Sequence, residues 1–291
     1  MFNDFLFTSN KHQLHCETIG DLAAVESIVF IHGLASNATR WRELMSHSQL
    51  KDLAYLLAVN LRGHGKSLCF DHYTRQDWCN DTAELMTQTK LPTILVGHSL
   101  GAQVALELAA KGQDEKLRGL VLIDPVFPQA LSGILKKVAR YRRLVFMLGW
   151  LLRGWYKLGL HKRNYPYRNL QQLDEETREF LAANPDKGIA DLYMNPFADL
   201  KYMPAGNYIQ DLYEVTRPLP ELNTVKVPVL VLLSAGASTS HVDINKEILE
   251  TIPDLEIEHI DADHWLLTEK PVEAREVIEQ WCQKIFKTET I

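Results

Sequence analysis

One strand-turn-helix pattern constrains the fold of this chain more than any other part of its sequence. The residues Pro92-Thr93-Ile94-Leu95-Val96 are apolar and partly β-branched, which is typical of a buried strand. The residues from Ala102 to Ala110 are rich in helix formers and are followed by Gly112, a residue that commonly ends helices. Between strand and helix lies Gly97-His98-Ser99-Leu100-Gly101. Ser99 is therefore predicted to occupy a sharp strand-to-helix turn.

The two glycines around this serine favour a turn that holds its side chain out for chemistry. A sharp turn needs unusual backbone angles and close packing, both of which a β-carbon obstructs. A five-residue pattern such as Gly-x-Ser-x-Gly recurs by chance in unrelated sequences. The alternative interpretation is that Ser99 simply caps a helix. With a strand before it and a helix after it, Gly-x-Ser-x-Gly is typical of a nucleophile elbow. We interpret Ser99 as a nucleophile.

Short apolar segments alternate with helical ones over most of the chain. Strands that are apolar throughout indicate a mostly parallel sheet with helices on both faces, so the predicted class is α/β. The predicted strands are 5–8, 13–19, 27–31, 55–61, 92–96, 120–123, 227–233 and 255–260. A last helix is predicted from Pro271 to about Phe286, with proline in its first turn.

This alternation stops in one long segment. Residues 127–222 are helical in pattern and rich in Tyr, Trp and Pro, without a clear strand. We predict a helical cap inserted into one domain, whose core consists of residues 1–126 and 223–291.

A serine nucleophile needs a base and a carboxylate that orients the base. His264 is the predicted base, because it lies in a loop just past the last strand, in Asp261-Ala262-Asp263-His264-Trp265. His259 is the competitor, but as the penultimate residue of a strand it would be fixed by the sheet.

Several segments together resemble the α/β-hydrolase superfamily over nearly the whole chain. They are His32-Gly33-Leu34, Arg62-Gly63-His64-Gly65-Lys66-Ser67, the Gly97–Gly101 turn, Pro228-Val229-Leu230-Val231 and Asp263-His264-Trp265. The resemblance implies an α/β-hydrolase fold and an oxyanion hole formed by two backbone N–H groups, carried over here to Leu34 and Leu100. We interpret His32, His98 and the Arg62–Ser67 turn as structural.

The chain departs from the superfamily at the carboxylate. Members commonly place it after the strand equivalent to Val229–Leu233, in a motif like Gly-x-x-Asp, but here no carboxylate follows until Asp243. Asp124 ends a central strand, at the edge where ligands bind in open α/β sheets, and is the favoured acid. The alternatives to Asp124 are Asp243, which could instead cap a helix, and a hydroxyl substitute such as Ser238.

Charge is unevenly distributed. The chain has 31 Lys and Arg against 37 Asp and Glu, yet the segment between Asp124 and Asp174 holds ten Lys or Arg and no acidic residue. Within it, residues 144–160 are strongly apolar, as in helices that lie on anionic membranes. This predicts peripheral contact with an anionic membrane or admission of an acyl chain; the alternative is that the apolar residues pack on the core. No nucleic-acid recognition motif accompanies the basic residues, so nucleic acid is not expected as a partner.

Apolar run length, the first residues and the cysteines restrict the class of protein further. No apolar run approaches the roughly 20 residues of a membrane span, and the first residues do not resemble a signal peptide. Four cysteines without a Cys-x-x-Cys pair predict neither a zinc site nor a disulfide framework. We expect a cytoplasmic protein, at most peripheral to the inner face of the membrane, without cofactor or metal.

The expected function is a serine hydrolase that cleaves a small carboxylic ester, one that can carry an acyl chain, through an acyl-enzyme on Ser99. The same catalytic residues also cleave thioesters and certain carbon–carbon bonds in other enzymes, so these substrates are alternatives to a carboxylic ester. A serine argues against the aspartate-dependent epoxide hydrolases and dehalogenases of the superfamily. The missing Gly-x-x-Asp motif leaves a second hypothesis, a binding protein that has lost catalysis.

Overall fold

A computed structural model describes residues 1–21, 23–112, 115–193, 195–235 and 240–288, without the side chains of residues 191 and 288. Its centre is one sheet of eight strands in the order β1-β2-β4-β3-β5-β6-β7-β8. The strands are β1 (Asn3–Ser9), β2 (His12–Ile19), β3 (Ser27–Ile31), β4 (Tyr55–Val59), β5 (Thr93–His98), β6 (Leu117–Ile123), β7 (Val229–Ser234) and β8 (Leu255–Ile260).

The six neighbouring strands β4-β3-β5-β6-β7-β8 run parallel to one another. The strands β2 and β1 extend the β4 edge of the sheet in antiparallel pairing. The strands β3 and β5 are buried along their whole length, as the continuous apolar runs predict. Residues Asn10 and Lys11 close the β1–β2 hairpin with positive φ angles of 43° and 68°. The predicted mostly parallel α/β sheet is confirmed.

Helices cover both faces of this sheet. They are α1 (Arg42–His47), α2 (Arg75–Thr89), α3 (Leu100–Ala110), α4 (Gly133–Arg140), α5 (Arg142–Lys157), α6 (Leu170–Ala183), α7 (Ile189–Tyr193), α8 (Pro196–Asp199), α9 (Ala205–Val215), α10 (Val242–Leu249), α11 (Leu266–Glu269) and α12 (Pro271–Thr288). Alternate residues of β3 face opposite sides, so Val29 joins a core that includes Trp78 of α2, and Phe30 joins one that includes Trp41 and Trp281.

Six helices, α4 to α9, lie between β6 and β7 and form the inserted segment. Buried polar side chains attach this segment to the core. Arg75 is fully buried, bonds Glu107, and donates hydrogen bonds to the carbonyls of Glu214, Arg217 and Pro218. The division into a core and a cap domain remains a prediction.

Two of the ten basic residues between Asp124 and Asp174 have internal roles that charge counting did not anticipate. Arg153 is buried, stacks on Tyr73 with 4.9 Å between its guanidinium carbon and the ring centroid, and donates to the carbonyl of Asp71. Arg168 donates to Asp199 over 3.0 Å. Arg153 therefore does not belong to an exposed basic surface.

Over the part of the chain that the structure describes, no helix combines the length and apolarity needed to cross a bilayer.

Candidate active site

Ser99 lies between the end of β5 and the start of α3, where the sequence predicted a turn. Its φ of 54° and ψ of −112° are angles that a residue with a β-carbon adopts only at a cost. Close packing explains the neighbouring glycines: a β-carbon on Gly101 would lie 2.1 Å from the carbonyl oxygen of Ile31, and one on Gly97 would lie 2.5 Å from that of Gly101. The strained turn holds the serine at the carboxyl end of the parallel strands.

His264 stands beside this serine, in the loop that joins β8 to α11. Its Nε2 is 2.9 Å from Ser99 Oγ, and its Nδ1 is 2.5 Å from Oδ2 of Asp124. Both His264 and Asp124 are buried. The structure therefore brings together the serine, the histidine and the favoured carboxylate, in the chain order Ser, Asp, His.

Asp124 directly follows β6 and adopts a φ of 42°. Its Oδ1 accepts two hydrogen bonds from the end of the neighbouring strand β7, from Ser234 N at 3.0 Å and Ser234 Oγ at 2.8 Å. Burial alone would raise the pKa of Asp124, but the hydrogen bonds from His264 and Ser234 outweigh it and lower the pKa. The carboxylate is therefore held ionised, facing His264.

The competing residues are placed elsewhere. Asp243 is exposed in the first turn of α10, and the N-cap of that helix is His241, so the structure neither brings Asp243 to His264 nor makes it the cap. His259 is exposed on β8. Ser238 lies outside the described residues.

Two further histidines hold the loops around the site. The Nε2–H of His98 donates to the carbonyl oxygen of His264 over 2.9 Å, which fixes the loop that carries the candidate base. Burial and the neighbouring His264 hold the pKa of His98 well below its ordinary value, so the ring stays neutral. His32 donates from Nδ1 to the carbonyl of Gly33 and accepts at Nε2 from the N–H of Leu61.

Leu100 directly follows Ser99, and Leu34 directly follows a glycine that packs against Ser99. Leu100 is the first residue of α3, so its N–H has no acceptor within that helix. Leu34 follows Gly33, where a β-carbon would lie 3.3 Å from Ser99 Cβ. Both N–H groups thus belong to backbone packed directly around the serine.

A family model described as "Alpha/beta hydrolase family" matches residues 28–277 of this chain. The chain belongs to the alpha/beta hydrolase family. The match includes Leu34, Ser99, Asp124 and His264.

Curated relatives and solved structures agree with this membership. A probable lysophospholipase, BODYGUARD 4 of Arabidopsis thaliana, is 33% identical over 141 residues, which cover 45% of this chain and 33% of the plant protein. This chain therefore spans a third of that relative's length. The sn-1-specific diacylglycerol lipase ABHD11 of Danio rerio is 24% identical over 84% of this chain and 75% of its own length.

Among solved structures, an E-2-(acetamidomethylene)succinate hydrolase superposes with a TM-score of 0.70 over 97% of this chain and 100% of that one, at 20% identity. At this identity the likeness concerns the fold.

A pocket lies between the loop after β3 and the inserted segment, next to Leu34. Arg168 Nη1 donates to Asp199 Oδ1 in its wall and stacks on Tyr202, 4.8 Å from the ring centroid. Burial raises the pKa of Asp199 to about 6, against the effect of Arg168. Its lining residues are Ala35, Ser36, Asn37, His64, Gly65, Pro166, Arg168, Asp199, Tyr202 and Met203.

Sequence reasoning missed Ser234 and the wall formed by Arg168 and Asp199. Ser234 ends β7, at the place where relatives of this fold commonly begin the acid-bearing loop. A hydroxyl at the carboxyl end of a strand that neighbours the Asp124 strand is the signal that could have identified it.

Proposed function

We propose that this chain is a serine hydrolase that cleaves carboxylic esters through an acyl-enzyme on Ser99. The observation that carries the proposal is the pair of distances around His264, 2.9 Å from Nε2 to Ser99 Oγ and 2.5 Å from Nδ1 to Asp124. A hydroxyl becomes an effective nucleophile when a base accepts its proton during attack, and both groups lie within hydrogen-bond reach.

The proposed reaction has two stages. Ser99 Oγ forms a bond to the ester carbonyl carbon while its proton passes to His264 Nε2. The carbon–oxygen bond to the alcohol then breaks, and His264 returns that proton to the leaving oxygen. Water next loses a proton to His264 and attacks the acyl carbon, and the carboxylic acid leaves as Ser99 regains its hydrogen.

Asp124 and two N–H groups assist in this proposal. The ionised Asp124 holds His264 in the tautomer with hydrogen on Nδ1 and stabilises the imidazolium that forms. The N–H groups of Leu34 and Leu100 donate to the oxyanion, which develops only as the bond to Ser99 forms. These residues carry every proton and charge in the reaction as written.

Residues 127–222 act as the cap of this enzyme in the proposal, and the pocket beside Leu34 receives part of a small ester substrate. The hydrogen bonds from Arg75 to carbonyls of the inserted segment, and from Asn37 Nδ2 to the carbonyl oxygen of Arg168, support this arrangement. The hypothesis of a binding protein without catalysis depended on a missing acid, and Asp124 beside His264 now supports catalysis instead. Cytoplasmic residence belongs to the same proposal.

Hydrolysis of p-nitrophenyl acetate and p-nitrophenyl octanoate tests the proposal, with the corresponding acyl thioesters assayed in parallel. We expect turnover by the wild type and its loss in Ser99→Ala, with Ser46→Ala in α1 as the matched control. Turnover of thioesters alone would replace the ester assignment and keep Ser99. Turnover that is equal in wild type and Ser99→Ala would contradict the proposal.

A further inference from the structure

The helix α5 has two apolar faces, and only one of them is covered. Gly149 and Tyr156 lie on the covered face, where Tyr156 accepts a hydrogen bond from Gly206 N of α9 over 2.7 Å and a β-carbon on Gly149 would lie 3.4 Å from Ile209. The opposite side, which we call the exposed face of α5, consists of Leu144, Met147, Leu148, Leu151 and Trp155, together with Leu158, the residue that caps the helix. These six side chains are between 47% and 72% exposed.

Their spacing shows that they form one continuous surface. Positions separated by three or four residues lie on the same side of a helix, and the six follow at intervals of three, one, three, four and three. Single exposed apolar residues are ordinary, but a contiguous apolar stripe marks a surface that meets a partner or a membrane. Trp150, which is 65% exposed, extends this surface.

The segment of the chain that carries the exposed face is positively charged. Eight exposed cations lie in the same segment of the chain, between residues 136 and 163, and none of them enters an ion pair among the residues that the structure describes. They are Lys136, Lys137, Arg140, Arg142, Arg143, Lys157, Lys162 and Arg163. With no Asp or Glu between Asp124 and Asp174, the segment attracts an anionic surface.

We propose that the exposed face of α5 docks on an anionic lipid bilayer, with the helix lying in the plane of the interface. Leucine and tryptophan side chains enter the boundary between headgroups and acyl chains, where tryptophan is especially favourable. The cations remain at the level of the anionic headgroups. Symmetric pairing with a second copy is disfavoured by the same charge, since it would bring two sets of these cations together.

This docking goes beyond the proposed hydrolysis and does not require Ser99. The Ser99→Ala protein is therefore the one to use for binding, because it leaves the lipid intact. We would measure its co-sedimentation with vesicles of phosphatidylglycerol and phosphatidylcholine, and with vesicles of phosphatidylcholine alone. We expect binding to the first and at least about tenfold weaker binding to the second, as several cations each contribute about fivefold.

Two sets of substitutions in that protein separate the apolar and the charged contributions. The pair Leu151→Ser and Trp155→Ser should weaken binding to the anionic vesicles by at least about tenfold, since each removes an apolar side chain that docking would bury in the bilayer. The pair Phe180→Ser and Phe197→Ser, two exposed phenylalanines on α6 and α8, is the matched control and should leave binding unchanged.

The charged contribution has its own control. Changing Lys136, Lys137, Arg142 and Arg143 to glutamine should weaken binding to anionic vesicles by at least about a hundredfold. The same change at Lys11, Lys90, Lys187 and Lys226, four exposed lysines outside the basic segment, alters the net charge equally and should have little effect.

Absence of vesicle binding, or equal losses in test and control variants, would overturn the proposal. A dimer seen by sedimentation velocity without lipid, and lost in Leu151→Ser with Trp155→Ser, would assign the surface to a second copy if vesicles do not bind. Circular dichroism checks that each variant folds. Since Ser99→Ala carries the binding assay, failure of ester hydrolysis in the wild type would leave the vesicle result intact.

Discussion

Two buried histidine–aspartate pairs in this chain differ in what faces the second nitrogen of the imidazole. In the first, His264 Nδ1 faces Asp124 and Nε2 faces the hydroxyl of Ser99, at 2.5 Å and 2.9 Å. In the second, His64 Nε2 lies 3.0 Å from Asp211 Oδ2, and Nδ1 lies 3.3 Å from the carbonyl oxygen of Arg62.

This difference separates a candidate base from a structural ion pair. A hydroxyl can donate to a neutral imidazole, so His264 is arranged to accept the proton of Ser99. Both nitrogens of His64 face acceptors, an arrangement that favours the doubly protonated ring. Burial lowers the pKa of His64, but the close Asp211 carboxylate outweighs burial and raises it. A buried histidine next to a carboxylate is therefore no sign of catalysis without a suitable third group.

Ser99→Ala removes the third group of the first pair and is expected to have the largest effect. The rate constant kcat for p-nitrophenyl esters should fall by about 10⁵- to 10⁶-fold, because no acyl-enzyme can form. His264→Ala should cost a similar factor, since the two residues act as a unit. Steady-state assays measure both, and a variant that keeps more than a hundredth of wild-type kcat would contradict this prediction.

Asp124→Asn keeps the shape of the first pair and removes its charge. We expect kcat to fall by about 10⁴-fold, because the amide can hold His264 in the wrong tautomer and cannot stabilise the imidazolium. Asp243→Asn is the matched control and should retain wild-type turnover. The opposite ranking of these two variants would move the acid to Asp243.

Ser234→Ala removes one donor to Asp124 while the Ser234 N–H remains. Because hydrogen bonds from Ser234 help to lower the pKa of Asp124, the pKa should rise in the variant. Loss of a hydrogen bond to a charged group predicts about a tenfold fall in kcat. The acidic side of the profile of kcat/KM against pH should move to higher pH. Ser234→Thr should restore both values, whereas an unchanged profile would show that the hydroxyl does not tune the acid.

Asp211→Asn breaks the second pair and should leave kcat nearly unchanged. It should lower the free energy of unfolding by about 2 kcal/mol near pH 6, because a buried partner of His64 is lost. A histidine whose pKa is higher in the folded than in the unfolded protein stabilises the folded state. This stabilisation is complete at pH values below the pKa of the unfolded histidine, about 6.5. That stabilisation is lost as the pH rises through the raised pKa of His64.

The difference in unfolding free energy between wild type and Asp211→Asn should therefore shrink from pH 6 to pH 9. Urea unfolding at several pH values measures it. A difference that grows over this range would contradict the assignment of a charged His64.

Much of the sheet could be predicted because strands buried on both faces read as apolar runs. The bounds of β3 and β8 match the predicted strands, and β5 extends two residues further than predicted, to His98. The strand β6 begins at Leu117, three residues earlier than predicted. Such ends depend on local hydrogen bonding that periodicity does not record.

The candidate site could be predicted where the order of residues along the chain was enough. It could not be predicted where the answer depends on which residues lie close together in the folded protein. Ser99 and His264 follow from a turn and a loop, but the choice between Asp124 and Asp243 depends on which strand end lies beside the histidine. The sequence also could not predict which side of α5 is exposed, because this helix has apolar residues on two sides and their pattern does not show which side packs on the protein. The roles of Arg153 and Arg168 depend on partners distant in sequence.

Activation of Ser99 by His264 and Asp124 is tested by a fluorophosphonate probe followed by peptide mass spectrometry. We expect a single adduct on the peptide that carries Ser99. We also expect no adduct in Ser99→Ala and greatly slowed labelling in His264→Ala and Asp124→Asn, with Asp211→Asn labelled at the wild-type rate. An unlabelled wild-type protein, or labelling of Ser99 that is as fast in His264→Ala as in the wild type, would contradict it.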